Sequence, residues 1–110
     1  MDFMTAVKTC FAKFADFSGR ATRPEYWWFV LAYVVVAIVA SLIHEYVYIL
    51  VVLVFLIPMI SAGVRRLHDI GKTGWLILLG LIPLVGLVLL YFMVQPTQPQ
   101  ANEYGEPPLA

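Results

Sequence analysis

The residues with the most chemical potential fall in two short stretches. One, FSGRATRPEYW, carries Arg20, Arg23 and Glu25; the other, RRLHDIGKTGW, carries Arg65, Arg66, His68, Asp69 and Lys72. Guanidinium groups present planar forks of donors. They can pair with the carboxylates of Glu25 and Asp69, forming a network that fixes helix ends, or they can grip the phosphates of lipid headgroups. His68 beside Asp69 also suggests acid–base or metal chemistry. A metal site needs about three or four converging ligands, and the second histidine, His44, falls at the other side of the expected topology. Enzymatic chemistry around His68 and Asp69 is therefore a minor alternative to a non-enzymatic role, and no catalytic residue, cofactor or metal is expected. The single cysteine, Cys10, excludes an intramolecular disulfide and reads as a small apolar helix residue.

The elements that must hold these clusters are apolar. The chain has 110 residues, 62% of them hydrophobic. Only 13% are charged, about half the roughly 25% of a soluble domain. A soluble chain this small needs polar groups over most of its surface; here they are missing, so part of the surface faces lipid. Three runs, 26–43, 47–64 and 75–94, contain no Asp, Glu, Lys, Arg or His. As helices they measure about 27 to 30 Å, the thickness of a hydrocarbon core. The second run alone gains on the order of 4 to 7 kcal/mol from its Val, Ile, Leu and Phe residues, with no central charge to offset it. A signal peptide is a poor reading of the first run, because 25 residues precede it and no small-x-small cleavage site follows it.

The expected architecture is therefore an all-α integral membrane protein. Three transmembrane helices are preceded by a short amphipathic interfacial helix, and residues 1–94 form a single membrane domain. In the leader, 1–18, Phe3, Val7, Cys10, Phe11, Phe14 and Phe17 recur at helical spacing. This helix lies in the interface or packs under the bundle. Thr22 and Glu25 have capping-box spacing, with Pro24 in the first turn. His44, Glu45 and Tyr46 alone separate the first two runs, which forces an antiparallel hairpin. Ile57-Pro58-Met59 and Leu81-Ile82-Pro83-Leu84-Val85-Gly86 read as packing kinks within spans. Ala37 and Ser41 give one small-xxx-small spacing. The tail, 95–110, is rich in Pro and polar residues and is expected to be extended or disordered.

All seven Lys and Arg residues precede the first run or lie between the second and third. That face is cytoplasmic by the positive-inside rule. Three crossings put the N-terminus in the cytoplasm and the C-terminus on the periplasmic or extracellular side. Net charge is zero, so no basic field exists to hold nucleic acid.

The two clusters, followed by LIPLVG and by Asn102-Glu103-Tyr104-Gly105-Glu106-Pro107, resemble the YhaH/YhaI-like bacterial inner-membrane family, domain of unknown function 805. The resemblance covers nearly the whole chain. It implies a small multi-pass protein of the bacterial inner (plasma) membrane with no established activity, and it transfers no catalytic residues. The chain departs from that pattern before Asn102, where prolines and glutamines replace a glycine-rich tail. The expected role is a non-enzymatic membrane module whose basic cytoplasmic face binds anionic lipid or a partner protein. The alternative is an oligomeric small transporter or channel. Expected partners are membrane lipids, and a membrane protein or further copies of the chain.

Overall fold

The computed structural model describes residues 1–108; the regular elements among them are all helices, apart from one isolated β-bridge between Asn102 and Gly105. Helix α1 spans Phe3–Ala12, α2 Arg23–Ile43 and α3 Glu45–Asp69. A 3₁₀ segment, Gly74–Leu81, and a last helix, α4, Gly86–Met93, complete the chain order. Each start is set locally. Asp2 Oδ1 accepts from the Thr5 N–H at 2.8 Å and begins α1. Thr22 Oγ1 accepts from the Glu25 N–H at 3.4 Å and begins α2, with Pro24 in its first turn, as the capping-box spacing predicts. His44 both ends α2 and caps α3, its Nδ1 accepting from the Tyr46 N–H at 3.1 Å. A one-residue connection leaves the two helices only the antiparallel arrangement.

Among the described residues, α2 and α3 are the helices long and apolar enough to cross a membrane. They extend about 31 and 37 Å at 1.5 Å per residue. Their packing is aromatic. Phe29 and Phe55 stack at 5.3 Å, and Phe11 of α1 meets both rings edge-on at 5.2 Å. Cys10 and Ala62 complete the buried cluster. Helix α1 therefore packs against the bundle through Ala6 and Cys10, while Met4, Phe14 and Phe17 stay exposed. The outward faces of α2 and α3 are apolar as well: Leu42, Leu50, Leu53 and Val39 are all exposed.

The third expected span does not form as one helix. Residues 75–94 fold as a hairpin, the 3₁₀ segment running one way and α4 returning, with a turn at 82–85. Pro83 supplies the break. It has no N–H, and it holds the preceding Ile82 extended, at φ −105° and ψ 119°. Leu84 then adopts a left-handed φ of 69°. The two arms meet at glycines, a Cβ on Gly86 falling 3.7 Å from Gly80 Cα. The turn satisfies its own backbone: Gly86 N–H donates to Ile82 O (2.9 Å) and Leu87 N–H to Leu84 O (3.0 Å). The arms reach only about 16 and 12 Å, roughly half a hydrocarbon core.

Both ends of this hairpin lie at the C-terminal end of α3. Gly74 follows Asp69 by one short loop, and at the other end Arg66 Nε and Trp27 Nε1 both donate to Met93 O at 3.1 Å. The tail therefore begins beside the basic clusters. The expected topology has the tail leaving at the opposite end of the bundle, and in the structure it leaves at this one. The tail, read from its composition as extended or disordered, has no helix or strand among its described residues but is held against α3 at Gln95, Thr97, Gln98, Asn102 and Tyr104.

Candidate functional site

The last turns of α3 are buried on every side: each residue from Ser61 to Asp69 is below the surface. A helix buried all round is normally apolar, yet this one carries Arg65, Arg66, His68 and Asp69. Asp69, fully buried, is the centre. Its Oδ1 accepts from Arg20 Nε at 3.0 Å, and its Oδ2 accepts from Arg66 Nη1 at 2.9 Å and Thr97 Oγ1 at 2.6 Å. Its own carbonyl accepts from Arg20 Nη2 at 3.1 Å and from the Gln98 N–H at 3.1 Å.

A guanidinium has five N–H donors, and Arg20 places them all. Besides the two bonds to Asp69, it donates to the carbonyls of Gln98 (2.9 Å), Gly105 (3.0 Å) and Gln100 (3.2 Å). Arg66 donates to Met93 O, to Ala21 O at 3.3 Å and to Gln95 O. The tail thus wraps the arginines with backbone carbonyls. Charge counting explains why. Three arginines (Arg20, Arg65, Arg66) face two carboxylates (Glu25, Asp69), all five residues at least 95% buried. The excess positive charge is offset by carbonyl dipoles.

Arg65 points the other way and pairs with Glu25 of α2. Its backbone carbonyl accepts from the Ala21 N–H at 3.0 Å, which ties the 18–22 loop to α3. The same loop supplies Gly19 O, 3.0 Å from His68 Nδ1. Tyr104 stacks flat on the His68 ring at 3.7 Å. Asn102 Nδ2 donates to His68 O (3.0 Å) and to Gln98 Oε1 (2.8 Å), while Asn102 Oδ1 accepts from the Tyr104 N–H (2.8 Å). The Asn102–Gly105 bridge is therefore a clasp on the end of α3. Gly71, at φ +76°, turns the chain out of α3 directly beneath Gln98, where a Cβ would lie 2.8 Å from its Nε2.

Of the residues singled out in the sequence, Arg20, Arg66 and Asp69 meet in one network, Arg65 and Glu25 form its neighbour, and His68 borders both. Arg23 and Lys72 lie outside. Arg23 is exposed and donates to Val94 O at 3.3 Å, and Lys72 sits with Nζ 5.7 Å from the Phe92 ring centre. Among the described residues no group of three His, Cys, Asp or Glu could hold a metal ion. Sequence reasoning missed the tail partners Thr97, Gln98, Asn102, Tyr104 and Gly105. The signal that could have found them is the shortage of carboxylates for the arginines.

Cys10 lies under the Glu25–Arg65 pair, its Sγ–H donating to Glu25 O at 3.7 Å. Burial pushes its thiol up to about 11. A raised value leaves less thiolate at a given pH. At pH 8 roughly one thiol in a thousand is ionised, against about a quarter for a free cysteine. Labelling by N-ethylmaleimide in membranes at pH 8 is expected to be at least about a hundredfold slower than in the denatured chain, and to rise about tenfold per pH unit until it levels off near pH 11. Equal rates in the two states would contradict the burial.

Comparison with known proteins identifies the family. A family model described as "Protein of unknown function (DUF805)" matches residues 14–106. Inner membrane protein YhaI of Escherichia coli (strain K12) is 35% identical over 103 residues, covering 86% of this chain and 87% of that one. Inner membrane protein YhaH of the same organism is 34% identical over 108 residues, covering 86% and 88%. No solved structure matches the chain. The matched span contains both basic clusters, the hairpin and the Asn102–Gly105 clasp, and the chain belongs to the DUF805 family.

Proposed function

We propose that the chain is a non-enzymatic module of the bacterial inner membrane that binds anionic lipid headgroups at its cytoplasmic face. In this reading α2 and α3 cross the bilayer, the 74–93 hairpin enters and leaves from the cytoplasmic side, and both termini are cytoplasmic. The observation that carries it is the division of the cations. No Lys or Arg occurs in 24–64 or after Lys72. Arg20 and Arg66 are buried and committed to the protein's own acceptors, and Arg65 is buried against Glu25 through Nη1, its Nε and Nη2 without a partner among the described residues. Lys8, Lys13, Arg23 and Lys72, in contrast, are exposed around the same end of the bundle. Lipid contact is therefore assigned to the exposed set, with the buried arginines holding the platform. Exposed Trp28 and Trp75 are suited to the headgroup level beside them.

A basic residue near an anionic surface contributes about 1 kcal/mol. The triple variant Lys8→Gln, Lys13→Gln, Lys72→Gln is expected to lose most of the preference for phosphatidylglycerol over phosphatidylcholine, measured with spin-labelled lipids at low salt. Because screening acts within about 10 Å at 0.1 M salt, raising the salt concentration is expected to weaken the wild-type preference too. An unchanged preference in the triple variant would sink the assignment. The alternative of an oligomeric transporter or channel gains nothing from the hairpin, whose residues 75–94 contain no ionisable group apart from Tyr91.

A further inference from the structure

Between the last turns of α3 and the 3₁₀ segment lies a cleft of about 520 Å³, within the roughly 300–1,000 Å³ of small-molecule sites. Its walls are Ile60 and Val64 on one side and Ile77 and Leu78 on the other. His68 and Thr73 stand at one end. Ile60 is eight residues from His68, about 12 Å along α3. The cleft thus runs from the polar end of the bundle into its apolar zone. Its rim residues Leu78 and Trp75 are exposed, so it opens sideways, away from the helix pair.

The polar end is specific in what it asks for. His68 is 6% exposed. Its Nδ1 faces the Gly19 carbonyl at 3.0 Å. A carbonyl oxygen only accepts, so Nδ1 carries the hydrogen, and Nε2 of the neutral ring is an acceptor. Nε2 lines the Gly74 side of the cleft, 3.3 Å from where a Cβ on that glycine would lie, and it has no protein partner among the described residues. Thr73 Oγ1 accepts from the Trp75 N–H at 3.4 Å, which leaves its own hydrogen free to donate. The lining contains no Lys, Arg, Asp or Glu. An acceptor and a donor without charge match an alcohol, which can give one hydrogen bond and receive another. Apolar walls left unfilled forfeit their contacts.

We infer that this cleft binds one molecule of a lipid carrying a free hydroxyl, the hydroxyl donating to His68 Nε2 and one acyl chain lying between Ile60 and Leu78. The inference rests on the bilayer placement proposed above, but not on its basic residues. The probe is dioleoylglycerol, an uncharged alcohol, mixed into phosphatidylcholine nanodiscs with the full chain and read by native mass spectrometry. One dioleoylglycerol is expected to stay on each chain, enriched about tenfold over phosphatidylcholine. Its methyl ether, which lacks the donor, is expected to lose that enrichment. Leu78→Trp, which fills the cleft, is expected to abolish retention, and the Lys8/Lys13/Lys72→Gln variant is expected to retain it in full. No enrichment in the wild type would overturn the inference, as would equal retention of the methyl ether. Retention that survives Leu78→Trp and falls in the lysine variant would also overturn it, while leaving the basic-face reading intact.

Discussion

Replacing residues 95–108 by a Gly/Ser chain of equal length is expected to destabilise the protein by about 3–5 kcal/mol, the cost of leaving a buried charge without its partners. A Gly/Ser chain still offers carbonyls, but it lacks Thr97 Oγ1, the Asn102 amide and the Tyr104 ring that hold them in place. Arg20 would therefore lose its fixed acceptors at 98, 100 and 105, Arg66 that at 95, and Asp69 both Thr97 Oγ1 and the positioned N–H at 98. Water can restore some of these bonds only by entering a site in which Arg66 and Asp69 are fully buried. A tail that merely trails from the last helix would change stability by about 0.5 kcal/mol or less on such a replacement. Unfolding by steric trapping, or by SDS titration in mixed micelles, separates the two outcomes.

Asp69→Ala is expected to have an effect of the same size, about 3–5 kcal/mol, for a related reason. It removes the one carboxylate between Arg20 and Arg66 and leaves two guanidiniums facing each other in a closed space. The companion variant Glu25→Gln leaves Arg65 without its acidic partner, and its cost is expected to be similar. The two differ in where the damage goes. Asp69 also anchors Thr97, so Asp69→Ala is expected to release the tail to limited proteolysis within 95–107, whereas Glu25→Gln disturbs the α2–α3–α1 contact around Cys10 and leaves the tail protected. Equal tail protection in both variants would contradict the network drawn here.

Much of this arrangement could be read from the residues. Thr22, Pro24 and Glu25 set the start of α2, and the single residue His44 makes the first hairpin, because capping and loop length are local physics. The two basic clusters belong together, as expected, since α2 and α3 are antiparallel and bring 20–25 against 65–69. The third run was legible in composition but not in shape. Twenty apolar residues have the length of a span, and hydropathy does not distinguish a helix that crosses from a hairpin that returns. The distinguishing detail is local. Pro58 sits within α3 and the helix continues through it, whereas Pro83 is flanked by Gly80 and Gly86, which let the two arms close on each other. That difference brings the start of the tail back to the C-terminal end of α3.

The tail was illegible for a different reason. Proline and glutamine content predicts an unpacked chain, because composition measures how little apolar surface a segment can bury. Residues 95–105 are instead held by charge-assisted bonds from their carbonyls to Arg20 and Arg66, and every residue type offers a carbonyl. Only Asn102, Tyr104 and Gly105 leave a sequence trace, through the clasp on His68. The same burial explains why Arg65 and Arg66 are poor candidates for gripping lipid. Both are buried, and the proposed lipid contact is assigned to the four cations outside the network.

The claim on which all of this depends is that the tail and the basic loops share one side of the membrane. In a Cys10→Ser background, Lys72→Cys and Glu106→Cys can be labelled separately with a membrane-impermeant maleimide. The arrangement described here predicts that both positions are protected in intact spheroplasts and both react in inverted inner-membrane vesicles. Reaction of Glu106→Cys in spheroplasts with protection of Lys72→Cys would mean that the third segment crosses the bilayer, and would contradict it.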